Sequence, residues 1–239
     1  MSKIKSILKD YKLLLNNVPA LVTTIFVCCT CLMNLMASKI IFHIGDAVFT
    51  GGFILSAIPF LCMDTTTKRF GARASIMLNV LSAIGNLIAV GLLALVAAIP
   101  SSDDYTHFNY IFGAVWFIVL SSTVAFVASG VANSLINVAI GKLFNKTSAV
   151  EFYSRSFVST FVGQVIDNFL FIWLAYTIFA PMVWKTAPLP IVGCLGTAII
   201  GGAVELLAEV VLSPVAFRIV KNWEKNGTGQ AYIDAHADN

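Results

Sequence analysis

The chain has 239 residues, 58% of them hydrophobic and only 11% charged, and its mean hydropathy is +0.87. So little polar surface cannot coat a soluble globule of this length, which excludes a soluble domain and points to an integral membrane protein. The formal net charge of +3 is too small to argue for nucleic acid or another acidic partner, so only the placement of charge informs.

Four lysines, Lys3, Lys5, Lys9 and Lys12, precede the first apolar run. That run is too long for a signal-peptide core and ends in no small-residue cleavage site, so it reads as a membrane span. A hydrocarbon core of about 30 Å needs about 20 helical residues. Six stretches approach that length: Val18–Ile41, Ala47–Asp64, Ala74–Ile99, Tyr110–Ile140, Arg155–Ala180 and Leu189–Phe217. The expected architecture is therefore all-α and polytopic, with residues 1–220 as a six-helix transmembrane domain and 221–239 as a solvated tail. Cys28, Cys29, Cys31, Cys62 and Cys194 lie within apolar runs, where free cysteine packs as a small hydrophobe, so no disulfide framework or metal site is expected.

Basic residues in short loops stay on the cytoplasmic side. With six spans, one side receives Lys3, Lys5, Lys9, Lys12, Lys68, Arg69, Arg73, Lys142, Lys146, Arg155, Arg218, Lys221 and Lys225, which is 13 of the 15 basic residues. The other side keeps Lys39, Lys185 and the acidic pair Asp103 and Asp104. Both termini are therefore expected in the cytoplasm, and a five- or seven-span count would destroy the asymmetry.

Ionisable residues inside spans cost on the order of 2.5–3.5 kcal/mol each and normally face a bundle interior or a water-filled cavity. In the first span Asn34 lies roughly 24 Å from the cytoplasmic end, with Lys39 close to the outer end, where snorkelling is the simpler reading of a lysine. Asp64 closes the second span near Lys68, Arg69 and Arg73, and pairing with Arg73 is as good a reading as contact with a substrate. Asn79, Ser82 and Asn86 share one face of the third span, a pattern that helix-to-helix hydrogen bonding explains. Ser122, Ser129 and Asn133 share a face of the fourth.

The fifth span, beginning RSFVSTFVGQVIDNFLF at Arg155, carries Ser156, Thr160, Gln164 and Asp167 in one stripe with Asn168 at its margin. Asp167 sits about 18 Å in from Arg155, near mid-bilayer. The sixth span repeats Thr197, Gly201, Glu205 and Glu209 at intervals of four, and packing does not readily account for its two glutamates. Asn34, Gln164, Asp167 and Asn168 can meet toward the outside, while Asp64, Asn133, Glu209, Arg73 and Arg155 gather toward the cytoplasm. A carboxylate among carboxamides suits a flat heterocycle with alternating donors and acceptors, and rejects analogues that leave its polar groups unpaired.

The runs NLMASK (34–39), PFLCMDTTTKRFG (59–71), SSTVAFVASGVAN (121–133), RSFVSTFVGQVIDN (155–168) and EVVLSP (209–214) resemble the queuosine precursor transporter family, also called the vitamin uptake transporter family. The most specific part is the spacing of Arg155, Ser159, Thr160, Gln164 and Asp167. Two positions depart from the family pattern: Lys68 stands where a glutamate is usual, and Asn168 where threonine or serine is usual.

The resemblance implies uptake of a 7-deazapurine such as preQ0, preQ1 or queuine across a bacterial or archaeal inner membrane. It also implies a six-helix fold similar to the substrate-binding subunits of energy-coupling-factor transporters. On that reading Asn34, Gln164, Asp167, Asn168, Asn133 and Lys39 bind substrate, and Asp64, Arg73, Arg155, Glu205 and Glu209 serve a gate or coupling. The expected partners are the small-molecule substrate and membrane lipid, with a homodimer left open; no nucleic acid, metal or cofactor is expected. The alternative is a substrate-binding subunit that needs a separate ATPase, for which Ala20 and Thr24 form a weak small-residue docking pair. An enzyme would need a nucleophile–base pair or a metal cluster, and the histidines, His43, His107 and His236, fall in loops or the tail.

Overall fold

The computed structural model describes residues 2–100, 106–141 and 149–236, and 83% of the structure is helical. Helix α1 (Ser2–Asn17) and helix α2 (Ala20–Met36) meet at 109°. Pro19 explains the corner: it has no N–H to continue α1, but its fixed φ suits the start of the next helix. Asn17 Nδ2 donates to Leu13 O at 2.8 Å and closes the last turn of α1.

The segment after α2 departs from the sequence expectation. Strands β1 (Ile40–Ile44) and β2 (Ala47–Thr50) pair antiparallel, with Phe42 opposite Phe49, His43 opposite Val48 and Ile44 opposite Ala47. A 3-10 turn (Gly51–Ile54) leads into helix α3 (Ala57–Ala98). Ala47–Asp64, expected as the second span, is thus a strand, a tight turn and the opening of a long helix. Gly51 and Gly52 make this packing available, because a Cβ at either would lie 2.7 Å from Met36 O or 2.6 Å from Met33 O. Within α3, Gly71 takes φ 84° and ψ 167°, a conformation essentially reserved for glycine, and breaks the helix beside Lys68, Arg69 and Arg73.

Helix α4 (Thr106–Phe112) and helix α5 (Val115–Gly141) share the expected fourth span. Helix α6 (Ala149–Ile172) continues through a π-helical segment, Trp173–Phe179, into helix α7 (Ala180–Trp184). Helix α8 (Ile191–Lys225) and the short helix α9 (Gln230–Asp234) complete the chain. Among the described residues, four stretches are long and apolar enough to cross a membrane: Thr65–Ala98, His107–Ser129, Thr160–Trp184 and Ile191–Leu212. The bent α1–α2 pair makes a fifth if counted as one span. The protein is a mostly helical, multi-pass membrane protein. Ile84, Ile88, Leu92 and Leu95 on α3, and Leu195, Ile199, Leu207 and Val211 on α8, are exposed in the manner of lipid-facing side chains.

The chain forms two compact units. The first comprises residues 1–32, 55–86 and 209–239 and buries Leu14, Val18, Phe26, Phe70, Trp223 and Tyr232 in one cluster. Residues 221–239, expected as a solvated tail, therefore contribute core: Trp223 is 8% exposed and Tyr232 1%. Arg69 reinforces the closure, its Nε donating to Thr228 O at 3.1 Å and its Nη2 to Gln230 Oε1 at 3.2 Å. The second unit, residues 33–54 and 87–208, buries Val48, Phe117, Ile118, Ile172, Ala175 and Cys194 together.

Candidate functional site: a polar cluster on α5, α6 and α8

In the second unit α6 supplies Gln164, Asp167 and Asn168, whose i, i+3, i+4 spacing puts them on one side of the helix. Gln164 is 2% exposed, and its Oε1 and Nε2 have no hydrogen-bond partner among the described residues. Leaving an amide buried in this way costs about 1–3 kcal/mol on mutational scales. Nothing in helix packing compels a glutamine there, since an apolar side chain of the same length would fill the space without that cost.

Two neighbouring helices tie down the adjacent residues. From α5, Ser129 Oγ donates to Asp167 Oδ1 at 3.1 Å, its single hydrogen shared with Phe126 O at 3.0 Å. From α8, Glu205 Oε2 accepts from Asn168 Nδ2 at 2.8 Å, and the same Nδ2 reaches Gln164 O at 3.0 Å. Glu205 is buried, at 7% exposure. The approach of α8 to α6 depends on small residues: a Cβ on Gly201 would lie 3.4 Å from Asn168 Cγ, and one on Gly202 3.0 Å from Val165 Cγ2.

The first member of the α8 ladder has a different task. Thr197 Oγ1 accepts from Val48 N at 2.8 Å and lies within hydrogen-bond reach of Val48 O (3.1 Å) and Gly193 O (2.9 Å), fastening β2 to α8. Sequence reasoning placed Thr197, Glu205 and Ser129 on polar faces but gave none of them its partner.

Of the remaining residues singled out in the sequence, Asn34 is buried on α2 in this same unit. Lys39 is exposed beyond the end of α2, and its backbone carbonyl accepts from Gly51 N at 2.8 Å. The side chains of Asp64, Asn133 and Arg155 lie outside the described residues. Arg73 and Glu209 belong to the first unit. Arg73 pairs there with Asp10 of α1 at 2.5 Å, a partner the sequence reading did not name, and more than half of its side chain is exposed. Glu205, grouped in the sequence reading with the gate, accepts a hydrogen bond from Asn168.

A cavity of about 260 Å³ opens elsewhere in the second unit, lined by Ser38, Ile40, Tyr176, Ala180, Trp184 and Leu189 among others. Among the described residues, none of those assigned to substrate binding lines it. Tyr176 lies on the π-helical segment, and its hydroxyl donates to Ala37 O. No group of three or more histidine, cysteine, aspartate or glutamate side chains suited to a metal ion occurs among the described residues. Chemically, the α5, α6 and α8 cluster sets an amide donor and acceptor at Gln164, without a partner among the described residues, beside a carboxylate and a second amide bonded to a glutamate.

Residues 50–219 match the sequence pattern of a family described as putative vitamin uptake transporter. No curated protein matches the chain. No solved structure matches it either. The match covers well over half of the chain and takes in the helices that build the polar cluster, so the chain belongs to the vitamin uptake transporter family.

Proposed function

We propose that the protein takes up a queuosine precursor, a 7-deazapurine such as preQ0, preQ1 or queuine, across the inner membrane as a secondary transporter. Family membership supports uptake of a small molecule; the polar cluster supports the narrower substrate class. The observation that carries the reading is the buried amide of Gln164, which has no partner among the described residues. A buried amide with no partner among the described residues is one that a ligand can satisfy.

The 2-amino-6-oxo edge of a deazaguanine offers adjacent N–H donors and a carbonyl acceptor. Gln164 Nε2 is the natural donor to that carbonyl, and the Asp167 carboxylate, whose Oδ1 is engaged by Ser129, is an acceptor for an N–H. Asn168, Asn34, Asn133 and Lys39 complete the substrate-binding set in this proposal, and Asp64, Arg73, Arg155, Glu205 and Glu209 form the gate or coupling set. A six-span topology with both termini cytoplasmic accompanies it.

Expression of the chain alone in a host lacking its own precursor uptake tests the reading, with radiolabelled preQ0, preQ1, queuine and guanine compared in one panel. Deazapurine uptake above guanine, lost in Gln164→Met, supports it. Equal transport of all four refutes edge recognition, and uptake that requires an added ATPase refutes the secondary-transport part.

A further inference from the structure

We infer that helix α1 is an interfacial anchor whose outer face binds anionic phospholipid, with Leu8 and Leu15 entering the acyl boundary and Lys5, Lys9 and Lys12 meeting the phosphate headgroups.

Five of the 16 residues of α1 are charged, Lys3, Lys5, Lys9, Asp10 and Lys12, whereas the 17 residues of α2 include no charged side chain. Each ionisable residue taken into hydrocarbon is costly, so α2 belongs in the bilayer core and α1 does not. The corner at Pro19 makes that division possible. A helix turned 109° from an upright span runs close to the membrane plane, and α1 leaves the corner at the level where α2 enters the bilayer.

The roll of α1 about its own axis is fixed within the first unit. Leu14 is fully buried, Tyr11 and Leu13 pack against the same cluster, and Asp10 pairs with Arg73 at 2.5 Å. At about 100° per residue, Leu8 and Leu15 point within about 20° of one another, and Lys5, Lys9 and Lys12 occupy an adjacent arc of about 60°. Leu14 stands on the far side of the helix from those lysines. Leu8 is 62% exposed, Leu15 is 42% exposed, and the three lysines are exposed with them. A single exposed leucine needs no explanation, but a leucine stripe beside a lysine stripe, held outward at the mouth of a span, is how a helix lies in a membrane interface.

Charge selects the lipid. Asp10 is the one acidic residue of α1 and is taken up by Arg73, so α1 itself leaves the lysine stripe uncompensated. Lysine ammonium groups bind phosphate as point charges, and a second negative charge is absent from a zwitterionic headgroup only in net terms, because its own cation competes. Each lysine close to an anionic surface changes binding by about fivefold, so three together give a preference on the order of 100-fold. Leu14 shares a core with Phe70, Trp223 and Tyr232, so lipid held by α1 braces the whole first unit.

The test compares full-length protein in nanodiscs of phosphatidylcholine alone with nanodiscs containing phosphatidylglycerol, reading hydrogen exchange over residues 5–17. Exchange there should slow by about tenfold or more with phosphatidylglycerol, and the gain should vanish near 1 M salt, where the screening length falls to about 3 Å. Lys5→Gln, Lys9→Gln and Lys12→Gln combined should abolish the gain, while arginine at the same three positions should keep it. Leu8→Ser with Leu15→Ser should speed exchange of α1 in both membranes. Size-exclusion profiles identify variants that have not folded, and the salt titration uses the wild-type protein, so it decides even if a variant is lost. Exchange of α1 that ignores phosphatidylglycerol overturns the inference and leaves the face to an acidic protein partner. A gain that survives high salt or the glutamine substitutions overturns it too, as does a leucine pair whose replacement changes nothing.

Discussion

Gln164→Met separates stability from function. Methionine is unbranched and close to glutamine in length, so it fits the same space without a cavity, and it has no polar group to leave unsatisfied. Gln164 is 2% exposed with two side-chain atoms unpartnered among the described residues. Relief of that burial is worth about 1–3 kcal/mol. For a chain of this size each kcal/mol moves the midpoint by roughly 2–4 °C, so the apparent Tm of the empty protein in detergent should rise by several degrees. Uptake should fall about 10- to 100-fold in the same variant, because a polar ligand edge would then meet a thioether. Ordinary core substitutions do the reverse, losing stability while sparing transport. A variant less stable than wild type with normal uptake would show that Gln164 is a packing residue and remove the main support for the site.

Thr197→Val should leave Val48 N–H without its side-chain acceptor, costing about 1–3 kcal/mol and speeding amide exchange in residues 40–50 more than elsewhere; uniform protection would mean β2 is held by other contacts. Tyr232→Ala removes a side chain 1% exposed from the first unit and should cost about 3–5 kcal/mol, read as a loss of folded protein by size exclusion; wild-type stability would return 221–239 to the status of a solvated tail. Arg73→Ala breaks an exposed pair with Asp10, so the stability change should stay within about 1 kcal/mol. Transport by that variant then reports directly on the gate role, and an unchanged rate removes Arg73 from it.

What could be read in the sequence was periodicity, and what could not was partnership. The i, i+4 ladder of Thr197, Gly201 and Glu205 was visible as a stripe, but one rung fastens a hairpin, one admits a neighbouring amide and one binds it. The hairpin itself was hidden because Ile40–Ile44 and Ala47–Phe49 are as apolar as a spanning helix. Hydropathy registers burial and not backbone geometry, and the glycines at 51 and 52 looked like ordinary small membrane residues. The corner at Pro19 was legible in principle, since a proline four residues past a run of lysine and leucines, after Asn16 and Asn17, is a normal helix boundary. The C-terminal segment misled for a different reason: Trp223 and Tyr232 are isolated aromatics in a polar stretch, and only tertiary contacts reveal that they are core. Gln164, Asp167 and Asn168 stood out in the sequence because an amide or carboxylate in a lipid-depth helix is conspicuous by its cost.

The first unit draws its core from the beginning, the middle and the very end of the chain. Leu14 and Phe70 leave the ribosome long before Tyr232, so this unit cannot finish closing until that residue has emerged. Until Trp223 and Tyr232 are made, the early helices present an open greasy seam to the translocation machinery and its chaperones. A ribosome stalled short of Trp223, or a message truncated there, would release a chain whose second unit is fully encoded but whose first has no lock, and quality-control proteases would have an early and selective target.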